Sequence, residues 1–177
     1  MPTWKTRGLR GSAFEEMINR TNEKYEQNGL ALIQKIPTPI TPIEMDQKTH
    51  HITLAYFDKK STVDYIGAVQ GIPVCFDAKE SATDTFNLQN IHEHQAEFMQ
   101  KFKSQKGIAF FLIYYSKRNQ IYYMPIDEMI PFLERAKNGG RKSFTFDELN
   151  KDHFLESKNG VMVPYLDMIA LELKNEK

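Results

Sequence analysis

The strongest pattern in the chain is the alternation of apolar and polar residues from Val63 to Lys79, broken once at Gln70-Gly71. Two alternating runs joined by such a pair read as a β-hairpin with a two-residue turn. The register this implies pairs Val63 with Ala78, Tyr65 with Phe76, Gly67 with Val74 and Val69 with Ile72, so the apolar partners share one face. The other face then sets Asp64 opposite Asp77. Lys79 points to the same side as Asp77, because strand side chains alternate with period two.

Other segments are simpler. Phe14, Met17, Ile18 and Tyr25 recur at near-helical spacing between Ser12, a candidate N-cap, and the stop signal Asn28-Gly29. Leu30 to Ile33 reads as a short buried strand. Residues 36–60 carry Pro37, Pro39, Pro42, His50 and His51, and they predict an irregular arm that projects from the core. Asn90 to Gln105 predicts a helix whose apolar stripe of Ile91, Phe98, Met99 and Phe102 is interrupted by Gln95. Ile108 to Tyr115 and Gln120 to Met124 predict buried strands, and Asp127 to Lys137 a helix stopped by Asn138-Gly139-Gly140. The order of elements implies an α/β fold with a mixed sheet. The 177 residues suit one domain, 1–177.

Composition narrows the setting. No apolar run approaches bilayer length and none follows Lys5, Arg7 and Arg10 at the N-terminus, so neither a membrane span nor a secretory signal is expected. Cys75 is the single cysteine, which excludes an internal disulfide and fits a reducing cytoplasm. Net charge is zero but segregated: +2 over residues 1–60, −5 over 61–100, +6 over 101–142 and −3 over 143–177. An acidic block between basic ones suits a metal site beside a phosphate-binding surface, and patchy charge is also common on solvated surfaces. Lys101, Lys103, Lys106, Lys117 and Arg118 are the candidates for phosphate contact.

Two carboxylates directly opposed on a sheet repel one another. A divalent cation offsets that repulsion, and magnesium takes hard oxygen ligands of this kind. Lys79 could stabilise negative charge developing on a phosphodiester, or could simply pair with Asp64 and Asp77. Gln95 could offer a carbonyl oxygen to the metal or be a satisfied core amide, and Thr62 could offer a hydroxyl or be an ordinary strand threonine. Glu15 and Glu16 could extend the acidic site, though a carboxylate pair in a first helical turn is normally explained by the helix dipole. His92 and His94, two apart, cannot face the same way on a helix and make a poor zinc site. Cys75, mid-strand, has no activating motif nearby.

The arrangement of Asp64, Asp77, Ala78 and Lys79 resembles the PD-(D/E)xK nuclease signature. The blocks GSAFEEMINRTNEKY, IPTP, STVDYIG, FDAKE, FNLQNIHEHQAEFM and NGGRKS, in that order, resemble RecU-type Holliday junction resolvases over nearly the whole chain. Asp77 stands where that family usually carries glutamate. The resemblance implies a restriction-endonuclease-like mixed sheet flanked by helices, with residues 36–60 as a projecting stalk. It implies a metal site of Thr62, Asp64, Asp77 and Gln95, holding Mg2+ or Mn2+, with catalysis by Asp64, Asp77 and Lys79. It implies a homodimer acting on four-way junction DNA, with room for a recombinase partner. A restriction-like or phage nuclease acting on duplex DNA, and a junction-binding module that does not cut, are the alternatives.

Overall fold

The computed structural model describes residues 12–57 and 62–175. Residues 1–11, 58–61 and 176–177, which include Lys5, Arg7, Arg10 and the last part of the segment 36–60, lie outside the described residues. Helix α1 (Ala13–Gln27) starts where Ser12 accepts a hydrogen bond from the Glu15 N–H and ends at Gly29, whose φ of +65° closes the turn. A six-stranded mixed sheet follows in the order β1 (Ala31–Lys35), β4 (Tyr65–Val69), β5 (Ile72–Ser81), β7 (Ile108–Tyr115), β8 (Gln120–Pro125), β10 (Phe154–Leu155). Only β5 and β7 run parallel, linked by a crossover that contains α2 (Glu93–Ser104).

Strands β5 and β7 are apolar on both sides because each face of the sheet is covered. Phe76, Phe110 and Leu112 face the layer of α1 and α4 (Tyr165–Asn175). Cys75, Phe111 and Ile113 face that of α2 and α3 (Ile126–Lys137). The mixed sheet flanked by helices is therefore as expected from the order of elements. Helix α2 is shorter than the periodicity suggests, since Leu88–Asn90 forms a separate 3-10 turn and His92 is the N-cap. Four elements had no clear sequence signal: β6 (Thr85–Asn87) and its partner β9 (Ser143–Thr145), the two-residue β10, and α4.

The arm is more regular than its prolines suggest. Strands β2 (Ile40–Met45) and β3 (Ile52–Phe57) form an antiparallel pair of their own, with bulges on either side of Glu44. Pro42 is tolerated because a two-stranded ribbon leaves every strand one free edge. Asp46 ends the ribbon by accepting the N–H groups of Lys48 and Thr49.

The hairpin register holds from Tyr65–Phe76 to Val69–Ile72, closed by Gln70 and Gly71 at φ of +49° and +87°. It does not extend to Val63. That residue packs with Cys75 and Phe111, whereas Tyr65 packs on the opposite face with Phe76. The chain therefore bends at Asp64, and Val63 and Ala78 are not partners.

Gly67 pairs with Ile33 of β1, and there the two strands lie so close that a Cβ would be 2.0 Å from the Leu32 carbonyl oxygen. Gly67→Ala is expected to force the two backbones apart and cost about 3 kcal/mol or more. Chemical denaturation checks this, and a change below about 0.5 kcal/mol would contradict the close approach.

Candidate active site

Asp77 lies mid-way along β5, opposite Phe111 of β7, and its side chain is wholly inaccessible to solvent. An ionised carboxylate so buried needs partners. Gln95 supplies one: its Nε2 donates to Asp77 Oδ1 at 2.9 Å. Lys79 supplies the charge, with Nζ 2.6 Å from Asp77 Oδ2. Beyond this ion pair, Oδ2 has no hydrogen-bond partner.

Asp64 reaches the same place by a different route from the one its spacing predicts. The bend that removes it from the ladder lets Oδ2 accept the Ala78 N–H at 3.0 Å, so the carboxylate replaces a strand carbonyl. Its own carbonyl accepts from the Ile36 N–H at 2.8 Å, which fixes the bend against the end of β1. The opposed pair is thus real in space although it is not a ladder pair. Burial pushes the Asp77 carboxyl up to about 7, with Lys79 pulling it down and Asp64 adding to the rise.

Gln95 is buried in the first turn of α2. Its Oε1 lies 3.4 Å from Lys79 Nζ and also accepts the His92 N–H at 3.3 Å. In this arrangement the amide presents its nitrogen, not its oxygen, to Asp77. Thr62 sits half-buried in the bend that leads to Asp64. Three of the four expected ligands and Lys79 are therefore linked by direct contacts or a shared strand, and Thr62 adjoins them along the chain.

The donors fit a hard divalent cation. Asp77 Oδ2 is a buried acceptor without a hydrogen bond, and the Asp64 carboxylate beside it makes its ionised form costlier rather than relieving it. Among the described residues no group of three or more His, Cys, Asp and Glu side chains is gathered around a metal position. Two carboxylates with the remaining positions left to water and substrate suit magnesium better than zinc.

Neighbouring residues clarify the edges of the site. Glu15 accepts from Lys35 at 2.5 Å, and its charge, with those of Asp64 and Asp77, adds to the burial that raises the Tyr65 hydroxyl. The first turn of α1 therefore borders the acidic pair. His92 and His94 stack at 5.4 Å, contrary to the sequence expectation, because His92 is the extended N-cap rather than part of the helix. Cys75 is buried, and burial raises its thiol to about 12, so it is inert.

The expected basic surface is divided. Lys106 precedes β7 and Lys117 follows it, and its eight residues separate them by about 26 Å. Lys103 is bonded to Asp127, and Arg118 is held bidentate by Asp84 at 2.8 and 2.7 Å. Lys103 and Arg118 are thus engaged by acids, and Lys106 and Lys117 lie at opposite ends of β7.

A family model described as Recombination protein U matches residues 9–171. A Holliday junction resolvase RecU of Pediococcus pentosaceus is 36% identical over 173 residues, covering 95% of this chain and 86% of its own. A protein of the same name from Lactococcus lactis subsp. lactis is 38% identical over 177 residues, covering 94% and 82%. Among solved structures, Hjc, a Holliday junction resolvase of Archaeoglobus fulgidus, matches 64% of this chain and 77% of its own at 8% identity and a TM-score of 0.39. The match of the family model over most of the chain, together with relatives well above 30% identity, places this chain in the RecU family.

Proposed function

We propose that this chain is a metal-dependent endonuclease that resolves four-way DNA junctions as a homodimer in the reducing cytoplasm, in the service of recombination and repair. The observation that carries this reading is the Asp77 carboxylate, buried against Lys79 and Gln95 with one oxygen lacking a hydrogen bond and a second acid beside it. A structural ion pair has no use for Asp64 at that place, and a protein that only binds DNA has no use for opposed acids. A recombinase partner belongs to the same reading.

Asp64 and Asp77 would hold the ion, Mg2+ or Mn2+, with Thr62 adjoining. Gln95 joins them only if its amide turns over to present Oε1. The bound cation supplies Lewis-acid activation of water and of the phosphate. The chain's own residues do the positioning. The Ala78 N–H orients Asp64, Gln95 Nε2 orients Asp77, and Lys79 keeps an ammonium where negative charge grows on the phosphodiester.

The test is cutting of a synthetic four-way junction under magnesium. Two sites related by a two-fold axis should nick opposing strands symmetrically. Replacing residues 43–52 with a short Gly-Ser linker should abolish the preference for junction over linear duplex of the same sequence. The six-stranded sheet should survive this change, since β2 and β3 pair only with each other. Equal cutting of linear duplex by the unaltered chain would favour the restriction-like alternative. Tight junction binding with no cutting under magnesium or manganese would favour the binding module.

A further inference from the structure

Away from the acidic pair, α2 and α3 diverge to leave a groove of about 680 Å³. Helix α2 lines one wall with Glu93, Ala96, Glu97 and Gln100, and α3 lines the other with Ile130, Leu133, Glu134 and Lys137. Both sets follow i, i+3, i+4, i+7 spacing, so each helix turns one continuous face to the groove. Leu88, Ile91 and Ala136 add apolar surface to the floor, and Gln89 and Lys142 complete the lining.

The geometry points to a docking groove for an amphipathic helix of a partner protein, with an aliphatic stripe flanked by lysine or arginine. Three features select that occupant. The walls are helices with internally satisfied backbones, so they offer no edge to an extended peptide, whereas two diverging helical faces accept the ridge of a third. Ala96 on one wall and Ala136 on the floor lack the bulk that would hold an incoming backbone away. The charge of the rim is acidic: Glu93, Glu97 and Glu134 all act on Lys137, whose Nζ donates to Glu93 at 2.7 Å. With Lys142 also on the lining, three carboxylates face two ammonium groups, so the groove keeps a net negative charge that disfavours phosphate and favours basic side chains.

The groove borders the nuclease site without being part of it. Ala96 follows Gln95 directly, so an occupant gripping this face of α2 sits one residue from the side chain that holds Asp77. The docking itself does not depend on cutting.

The probe is a labelled helical peptide of about 14 residues, with leucines at i, i+3, i+4 and i+7 and flanking lysines, compared with the same peptide carrying glutamates. Fluorescence anisotropy on the full chain should show saturable binding of the lysine peptide, at least about tenfold tighter than the glutamate peptide. The exposed double variant Glu97→Lys/Glu134→Lys, checked for folding by circular dichroism, should invert that preference. Ala136→Gln, which fills the floor, should weaken binding about tenfold while leaving thermal stability near that of the parent. Excess four-way junction DNA should not displace the peptide. Absence of saturable binding, equal affinity for both peptides, insensitivity to the folded double variant, or displacement by DNA would overturn the proposal, the last by making the groove a nucleic-acid surface.

Discussion

Asp77→Asn is expected to reduce junction cutting by at least about a thousandfold while making the metal-free protein more stable at neutral and alkaline pH. Both effects come from one carboxylate. Asparagine keeps the shape and can still meet Gln95, but it removes the negative charge that would hold a divalent cation. The stability effect follows from linkage. Burial raises the Asp77 carboxyl from its ordinary value near 4 to about 7, so the folded state binds the proton more tightly than the unfolded state. Folding is therefore not penalised below about pH 4. The penalty grows as pH rises toward 7 and is constant above it, on the order of a few kcal/mol. The gain from Asp77→Asn should follow the same course, absent at pH 4 and full at pH 8. Thermal melting in a chelator at both pH values measures it. Addition of magnesium at pH 8 should raise the melting temperature of the parent chain and not of the variant. A variant that still cuts, or a stability difference that is flat with pH, would remove Asp77 from the site.

Much of this arrangement was legible in the residues because local rules governed it. Ser12 and Gly29 bound α1 by capping chemistry, and the unbroken apolar runs of β7 and β8 reflect burial on both faces. The turn at Gln70-Gly71 set the register that brings Phe76 opposite Tyr65, and hence Asp77 one residue beyond. The bend at Asp64 was not legible. It depends on a carboxylate taking a backbone N–H and on β1 supplying the Ile36 N–H, contacts whose partners are distant in sequence. The same limit applies to the basic residues. Five cations close in sequence looked like one surface, but a buried strand runs between them, and acids from other segments occupy Lys103 and Arg118. Pro42 misled in the opposite direction, because a proline forbids a central strand but not a two-stranded ribbon.

Lys79→Met should lower cutting by about 100- to 1,000-fold, the loss falling on kcat more than on KM. The contacts of Lys79 explain why it differs from an ordinary surface lysine. Its Nζ is 2.6 Å from Asp77 Oδ2 and 3.4 Å from Gln95 Oε1, and its side chain is only 18% exposed. The ammonium is thus held at the acidic pair rather than free to sample solvent, and it contributes where charge accumulates in the transition state. It also opposes the effect of burial on Asp77, pulling that carboxyl down while Asp64 pushes it up. With methionine at 79, Asp77 keeps burial and Asp64 but loses its cation, so its proton is held to higher pH. The pH at which cutting reaches half its maximum should therefore move upward, and more magnesium should be needed to saturate the site at pH 7. Lys79→Arg keeps the charge and should retain the position of the pH profile even if its bulk lowers the rate. A pH profile that stays in place in Lys79→Met, or a loss confined to KM, would show that Lys79 serves substrate binding and leaves the acidic pair unaffected.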